Sequence, residues 1–321
     1  MHFHLNHPRA SDLHVISVIS NPVRFNSRVK LFKDFMENTR PSGVTHWIVE
    51  AVFGHRAPSV CSTDNPNHII VRCDDEIWLK ENLINIGARH LPADAKYVMW
   101  LDGDVRFERD YWALETIETL QNYPVVQPFS HVVDYGPGTE IIQTHTSFAY
   151  CYNKGPKLHD KNELGGWVYG GPYWHPGYGF AFRMDIWNAV GGMMERAVCG
   201  AADYHMATAL IGRSDFSRPG NIHPNYKHMV QVWEDRAEAA VHRSIGHIAG
   251  TIHHFFHGRK EDRKYIERWD VLTKTQFDPY ADLTNDRNGV LRLAVGNDDR
   301  GRRLRDGLKA YFRDRNEDAN T

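Results

Sequence analysis

No apolar run in the 321-residue sequence approaches the ~20 residues that a membrane-spanning helix needs, so no partnership with a membrane is expected. Cysteine is scarce. Cys61, Cys73, Cys151 and Cys199 are scattered without any C-x-x-C pair, which speaks against a zinc ribbon or a disulfide framework and for reduced, mostly core thiols. An excess of charge is missing too. The 38 basic and 40 acidic residues leave a formal net charge of −2, too little for a surface built throughout to hold nucleic acid. The opening Met1-His2-Phe3-His4-Leu5-Asn6-His7-Pro8 has neither the charged nor the apolar region of a secretory leader, and a cytoplasmic protein is the expectation. Internal repeats are absent, and so is a Gly-rich phosphate loop after the first strand-like segment. What remains is the composition of an ordinary globular protein, suited to one large α/β domain or to one domain with an appendage.

The most informative stretch is Tyr97-Val98-Met99-Trp100-Leu101-Asp102-Gly103-Asp104, an apolar run of strand length that halts at two carboxylates separated by one glycine. Such a run reads as a central strand of an α/β sheet, delivering ligands at its carboxyl end, where open sheets bind their substrates. Two dry, ionised carboxylates repel each other, so the pair makes most sense beside a divalent cation. The competing explanation is an Asp-Gly turn that merely ends a strand.

Around it the chain alternates strand and helix. Strands are expected at 14–20, 46–53, 68–72, 125–129 and 180–182, and helices at 26–38, 75–90, 111–122 and 184–190, the pattern of a largely parallel sheet. Glu50 stands alone in its apolar strand; it either points to solvent or accepts hydrogen bonds from a base or ribose. Gly and aromatic residues dominate from 134 to 179, where a regular helix cannot form and rings such as Trp167, Tyr169, Tyr173 and Trp174 suit stacking on sugars, bases or one another. Asp203 falls in the first turn of a helix that also carries His205, a position where a carboxylate can simply cap.

Twenty histidines invite a metal hypothesis only where they cluster, and His253-His254-Phe255-Phe256-His257-Gly258-Arg259-Lys260 is that place. On a strand, His253 and His257 share one face and His254 takes the other. Arg259 and Lys260 beside them suit phosphate oxygens. From about 285 the chain is polar and charged and looks like a separate unit or a frayed end. Within it, Leu304, Leu308, Tyr311 and Phe312 at helical spacing indicate an amphipathic helix, its basic face either solvated or in contact with a polyanion.

Taken in order, Asp102-Gly103-Asp104, the Gly-rich aromatic run, Gly200-x-x-Asp203 and His257-Gly258-Arg259 resemble the nucleotide-sugar glycosyltransferases of the GT-A fold, most of all the inverting family-two type, over roughly 14–269. His254-x-x-His257-Gly258 followed by Arg263-x-Tyr265-x-x-Arg268 looks like the end of a group found often in phage-related glycosyltransferases. The resemblance implies a Rossmann-like α/β fold with a mixed, mostly parallel sheet flanked by helices. A catalytic domain would span 1–284, with a nucleotide-binding half at about 1–130 and an acceptor half at about 131–284; a charged helical tail would follow at 285–321. It further implies that Asp102 faces the ribose or the metal and that Asp104 ligates Mn²⁺ or Mg²⁺ on the donor's diphosphate. His257 would be the third protein ligand, with His254 the runner-up. Asn21, Pro22 and Glu50 would hold base and ribose, Arg24 and Arg89 would add donor contacts, and Asp203 would be the catalytic carboxylate. Ala202 stands where that motif usually has Glu, a departure that bears on acceptor recognition.

The expected reaction moves a sugar from a nucleotide-diphosphate sugar, a UDP-sugar first of all, to an acceptor hydroxyl with inversion. Arg259 or Lys260 would steady the leaving diphosphate, and Trp167, Tyr169, Tyr173, Trp174 and His205 would receive the acceptor. A hydroxymethylated pyrimidine in phage DNA and a glycan are the acceptors considered. The rivals are a nucleotidyltransferase or pyrophosphohydrolase, and a non-catalytic glycan- or DNA-binding protein of the same fold.

Overall fold

The computed structural model describes residues 8–154 and 174–319. In chain order the main elements are β1 (Leu13–Ser20), α1 (Asn26–Thr39), β2 (Thr45–Phe53), β3 (His68–Cys73), α2 (Lys80–Ala88), β4 (Tyr97–Leu101), β5 (Val105–Phe107), α3 (Trp112–Leu120), β6 (Val125–Gln127), β7 (His131–Tyr135), β8 (Ile141–Ser147) and α4 (Phe148–Lys154). There follow β9 (Trp174–His175), β10 (Gly179–Arg183), α5 (Met184–Val190), α6 (Ala202–Ala209), α7 (Pro224–Val241), β11 (Ile245–His247), β12 (Thr251–His254), α8 (Arg268–Lys274), the hairpin β13 (Leu283–Asn285) and β14 (Leu291–Leu293), and α9 (Asp299–Asp314).

Seven strands form the central sheet in the order β11-β6-β10-β4-β1-β2-β3. The pairs β1–β2, β2–β3, β1–β4 and β6–β11 are parallel, whereas β10 runs antiparallel to both β4 and β6. This is a mixed, mostly parallel sheet flanked by helices. Its central strands are buried on both faces, which is why they read as unbroken apolar runs. Alternation along β4 shows the two layers: Val98 and Trp100 join one core cluster, Met99 and Leu101 the other. A second, five-stranded sheet, β5-β12-β7-β8-β9, stands against the carboxyl end of β4. Its register sets Asp134 on β7 beside His254 on β12.

Three expectations change. The helix read at 75–90 begins only at Lys80, because Asp75 leaves the helical path to accept the Leu293 N–H at 3.0 Å. The strand carrying the histidines ends at His254, so a two-residue period no longer governs His257. The segment from about 285, read as separate or frayed, is docked as far as residue 319: Leu304, Leu308, Tyr311 and Phe312 are buried, two of them in the main core. Past α9 the chain returns to α1, where Asp318 accepts the N–H groups of Asn26 and Ser27 at 3.0 and 2.9 Å. Those are orphan donors of a helix start, so the carboxyl-terminal segment caps a helix 292 positions away.

Candidate metal and donor site

The Asp102-Gly103-Asp104 turn leaves β4 at the carboxyl edge of the sheet. A Cβ on Gly103 would come within 2.3 Å of the Phe32 ring of α1, so any larger residue would force that ring to move. The close approach is therefore to the protein's own core. The two carboxylates part company at this turn. Asp102 is ion-paired with Lys80, the first residue of α2, whose Nζ also lies 4.5 Å from the Trp100 ring centroid. Burial disfavours the Lys80 ammonium, yet Asp102 and Asp203 lift it above its ordinary value. Burial also raises Asp102, against the pull of Lys80.

Asp104 instead meets the histidines. Its Oδ2 is 3.2 Å from His257 Nε2 and 4.0 Å from His254 Nε2, and the three side chains form a cluster that could hold a metal ion. Its other oxygen, Oδ1, is buried with no hydrogen-bond partner among the described residues. An orphaned carboxylate oxygen is costly, so its presence beside two imidazoles fits a divalent cation. One carboxylate with two imidazoles suits a first-row transition ion, and of Mn²⁺ and Mg²⁺ it suits Mn²⁺ better, because Mg²⁺ holds more strictly to oxygen ligands. Asp102, expected to share the metal, lies outside this cluster because Lys80 holds it. His253 faces away, its Nδ1 2.9 Å from the Tyr135 hydroxyl.

Behind His254 lies Asp134, which carries no mark in the sequence beyond opening the Gly-rich segment. It is 1% exposed, and its Oδ1 accepts from His254 Nδ1 at 2.8 Å and from the Tyr178 hydroxyl at 3.3 Å. Its Oδ2 accepts from Lys260 Nζ at 2.5 Å. Burial opposes ionisation of Asp134, but the His254 hydrogen bond and the charges around it hold its carboxyl well below the usual range. Lys260, expected to clamp phosphate, is thereby turned away, with Gln143 as its second partner at 2.7 Å. Arg259, its expected companion, is exposed and does not line the cavity.

These groups edge a cavity of about 620 Å³. Its cationic lining comes from Arg28, Lys80, Arg218, Arg263, Arg268 and Arg315, and its aromatic lining includes Trp78, Tyr204, Tyr265, Trp269 and Tyr311. Arg263 approaches the His257 ring at 3.0 Å and donates to the Tyr265 hydroxyl at 3.1 Å. Burial first, then Arg263, keeps His257 well below the ordinary histidine value, so it stays a neutral lone-pair donor. Asp203, in the first turn of α6, lines the same cavity. Burial lifts its carboxyl against Lys80 and Arg268, the direction that suits a base. His175 flanks it: a Cβ on Gly177 would lie 2.9 Å from Asp203 Oδ2 and 2.8 Å from His175 Cε1, so a residue larger than glycine would crowd both.

Other expected site residues stand elsewhere. Glu50 lines a second cavity, but Ser59, Val60 and Cys61 backbone N–H groups and the Ser59 hydroxyl donate to it at 2.5 to 2.9 Å, which ties it to its own loop. Asn21 closes a turn with Phe25 through two hydrogen bonds at 2.8 and 2.9 Å, and the Pro22 carbonyl accepts from Arg56. With Arg24, which takes a left-handed backbone at φ 72°, Asn21 lines that second cavity, of about 810 Å³, at the ends of β1 and β2, together with Phe53 and Arg56. Arg89 is exposed beyond the carboxyl end of α2; that helix runs back across the sheet, so Lys80 and not Arg89 faces the site. His205 is fully buried between Ser217 and Tyr226, at 2.7 and 2.9 Å, and cannot touch an acceptor. Trp174 packs against Phe148 and Tyr204, with ring centroids 5.0 and 5.7 Å away, outside the cavity lining. Trp167, Tyr169 and Tyr173 lie outside the described residues.

Neither a protein-family model nor a curated protein matches the sequence. Among solved structures, the chain is similar to the catalytic domain of Drosophila β1,4-galactosyltransferase 7 in complex with xylobiose, with 16% identity, a TM-score of 0.31 and coverage of 65% of each chain. It is likewise similar to a mutant of that enzyme in complex with manganese, UDP-Gal and xylobiose, with 15% identity, a TM-score of 0.32 and coverage of 65% of this chain and 66% of that one. The likeness thus spans a little under two thirds of either chain.

Proposed function

We propose that the protein is a metal-dependent, inverting glycosyltransferase that uses a nucleotide-diphosphate sugar, a UDP-sugar first of all. The observation that carries this reading is the convergence of Asp104, His254 and His257 on a cavity that Asp203 also lines, with one Asp104 oxygen unpartnered among the described residues. Asp104, His254 and His257 would hold Mn²⁺ better than Mg²⁺, and the bound ion would supply charge stabilisation at the diphosphate. Arg263 and Lys80 line the cavity and suit the same negative charge, a role the sequence had suggested for Arg259 and Lys260. The nucleoside end belongs in the neighbouring cavity beside Asn21, Arg24, Phe53 and Arg56.

In the reaction Asp203 accepts the proton of the acceptor hydroxyl. The acceptor oxygen bonds to the anomeric carbon from the face opposite the diphosphate, the bond to the diphosphate oxygen breaks, and the configuration inverts. The aromatic walls favour a saccharide as acceptor, since rings such as Trp78, Tyr204 and Trp269 offer faces for sugar C–H groups. A hydroxymethylated pyrimidine in DNA would have to be flipped from its stack to reach Asp203.

Thermal unfolding with Mn²⁺ and UDP tests the reading. At a Mn²⁺ concentration of 100 times its Kd, the ion should add about 2.7 kcal/mol of stability to the wild type and none to Asp104→Asn. Absence of any Mn²⁺ or UDP effect on well-folded wild type would refute the assignment. Transfer assays with saccharide and modified-DNA acceptors then decide between the two acceptors.

A further inference from the structure

We infer that Asp134 is a positioning residue that fixes His254 as the tautomer protonated on Nδ1, leaving the Nε2 lone pair aimed at the space between Asp104 and His257. The inference deepens the metal site proposed above and takes its purpose from that reading, although the tautomer itself can be observed without any metal.

The donors around Asp134 fix the tautomer. An ionised carboxylate only accepts hydrogen bonds, and Asp134 is enclosed at 1% exposure with the Lys260 ammonium and the Tyr178 hydroxyl already donating to it. The contact at 2.8 Å from His254 Nδ1 must therefore carry its proton on the imidazole. A neutral ring has one proton, so Nε2 is bare. Nε2 lies 4.0 Å from Asp104 Oδ2, too far for a hydrogen bond but suited to sharing an ion. The strands enforce this arrangement, because β7 and β12 pair in parallel with Asp134 directly opposite His254. Lys260 on the far oxygen keeps the carboxylate from turning. A metal-bound histidine whose second nitrogen donates to a carboxylate is a general device for orienting the ring and raising its basicity, and loss of such a partner typically weakens metal binding 10- to 100-fold.

Asp134→Asn separates this role from mere packing, because it keeps the shape. Its amide oxygen would turn to the Lys260 ammonium and its NH₂ to His254 Nδ1, which would then have to accept. The proton would move to Nε2, in the place a metal needs. Long-range ¹⁵N–¹H correlation spectra of the metal-free protein, with the His254 signals assigned by their loss in His254→Gln, should show the Nδ1–H form in the wild type and the Nε2–H form in Asp134→Asn. Lys260→Met, which leaves the His254 contact in place, should keep the wild-type tautomer. Mn²⁺ binding followed by EPR should weaken 10- to 100-fold in Asp134→Asn. An Nε2–H signal in the wild type overturns the inference even if the variant does not fold; so does an Asp134→Asn protein with unchanged tautomer and unchanged Mn²⁺ affinity. A wild type that shows Nδ1–H but binds no Mn²⁺ would uphold the positioning and refute the proposed metal site instead.

Discussion

Glu317 offers the sharpest test of how the carboxyl-terminal segment completes the molecule. It is 1% exposed, and Arg28 of α1 grips both of its oxygens while Arg315 Nε donates to Oε1 at 2.7 Å. Arg28 and Arg315 both line the main cavity, so this carboxylate pins two of the cavity's cations. Replacing Glu317 by Gln keeps the shape and removes the charge, leaving buried guanidinium groups uncompensated. Breaking a buried pair costs ~3 to 5 kcal/mol; because the Arg28 side chain is 26% exposed, the lower end, about 3 kcal/mol, applies. At ~2 °C per kcal/mol for a chain of this size, the midpoint should fall by about 6 °C in differential scanning calorimetry. Burial opposes the charge on Glu317, but Arg28 and Arg315 hold its carboxyl far below the usual value. A carboxylate depressed in the fold contributes its stability in full above its unfolded value of about 4.3 and loses it as pH falls through the folded value. The gap between wild type and Glu317→Gln should therefore stay constant from neutral pH to about 5 and close below about 4. A midpoint within 1 °C of wild type at neutral pH (on the order of 0.5 kcal/mol) would refute the reasoning.

Three further outcomes are expected. Asp203→Asn should lower transfer about 10²- to 10⁴-fold while leaving Mn²⁺ and nucleotide binding unchanged, as steady-state kinetics and calorimetric titration would show. Burial holds His205 at about 3 and His145 at about 4, so both stay neutral in the fold while their unfolded forms protonate near 6.5. The unfolded chain then binds more protons, and stability should fall by about 1.4 kcal/mol per pH unit per histidine below that point; urea midpoints of His205→Gln should show a slope shallower by about one proton. Glu50→Ala should cost about 3 kcal/mol in urea unfolding, because it strands the N–H groups of three successive residues; an intact midpoint with a raised KM for the donor would instead restore Glu50 to the ribose.

Much of the fold could be read from local pattern. The β-branched runs of β1 and β2 and the apolar run before Asp102 announced strands buried on both faces. The 3.6-residue spacing of Leu304, Leu308, Tyr311 and Phe312 announced a helix with one buried side, though not that this side would pack into the main core. The Asp-Gly-Asp turn and the histidine cluster at 253–257 stood out as metal candidates because carboxylates and imidazoles are what a divalent cation recruits, although an Asp-Gly turn also ends strands without one.

Pairings between distant segments were not legible, since no local signal encodes them. The sequence by itself determined the element types, the parallel character of the sheet and the chemistry available at its carboxyl edge. Only the tertiary structure decided which groups were free to act. It paired Asp102 with Lys80, Lys260 with Asp134, and Glu50 with its own loop, and it set Lys80 and not Arg89 at the strand ends because a helix crossing back over a sheet presents its first turn there, not its last. It also brought Asp134 behind His254 through strand register and Glu317 against Arg28 through the return of the chain. A buried charge must find its partner wherever the fold supplies one, so the roles of these ionic residues follow from packing and not from neighbours in the sequence.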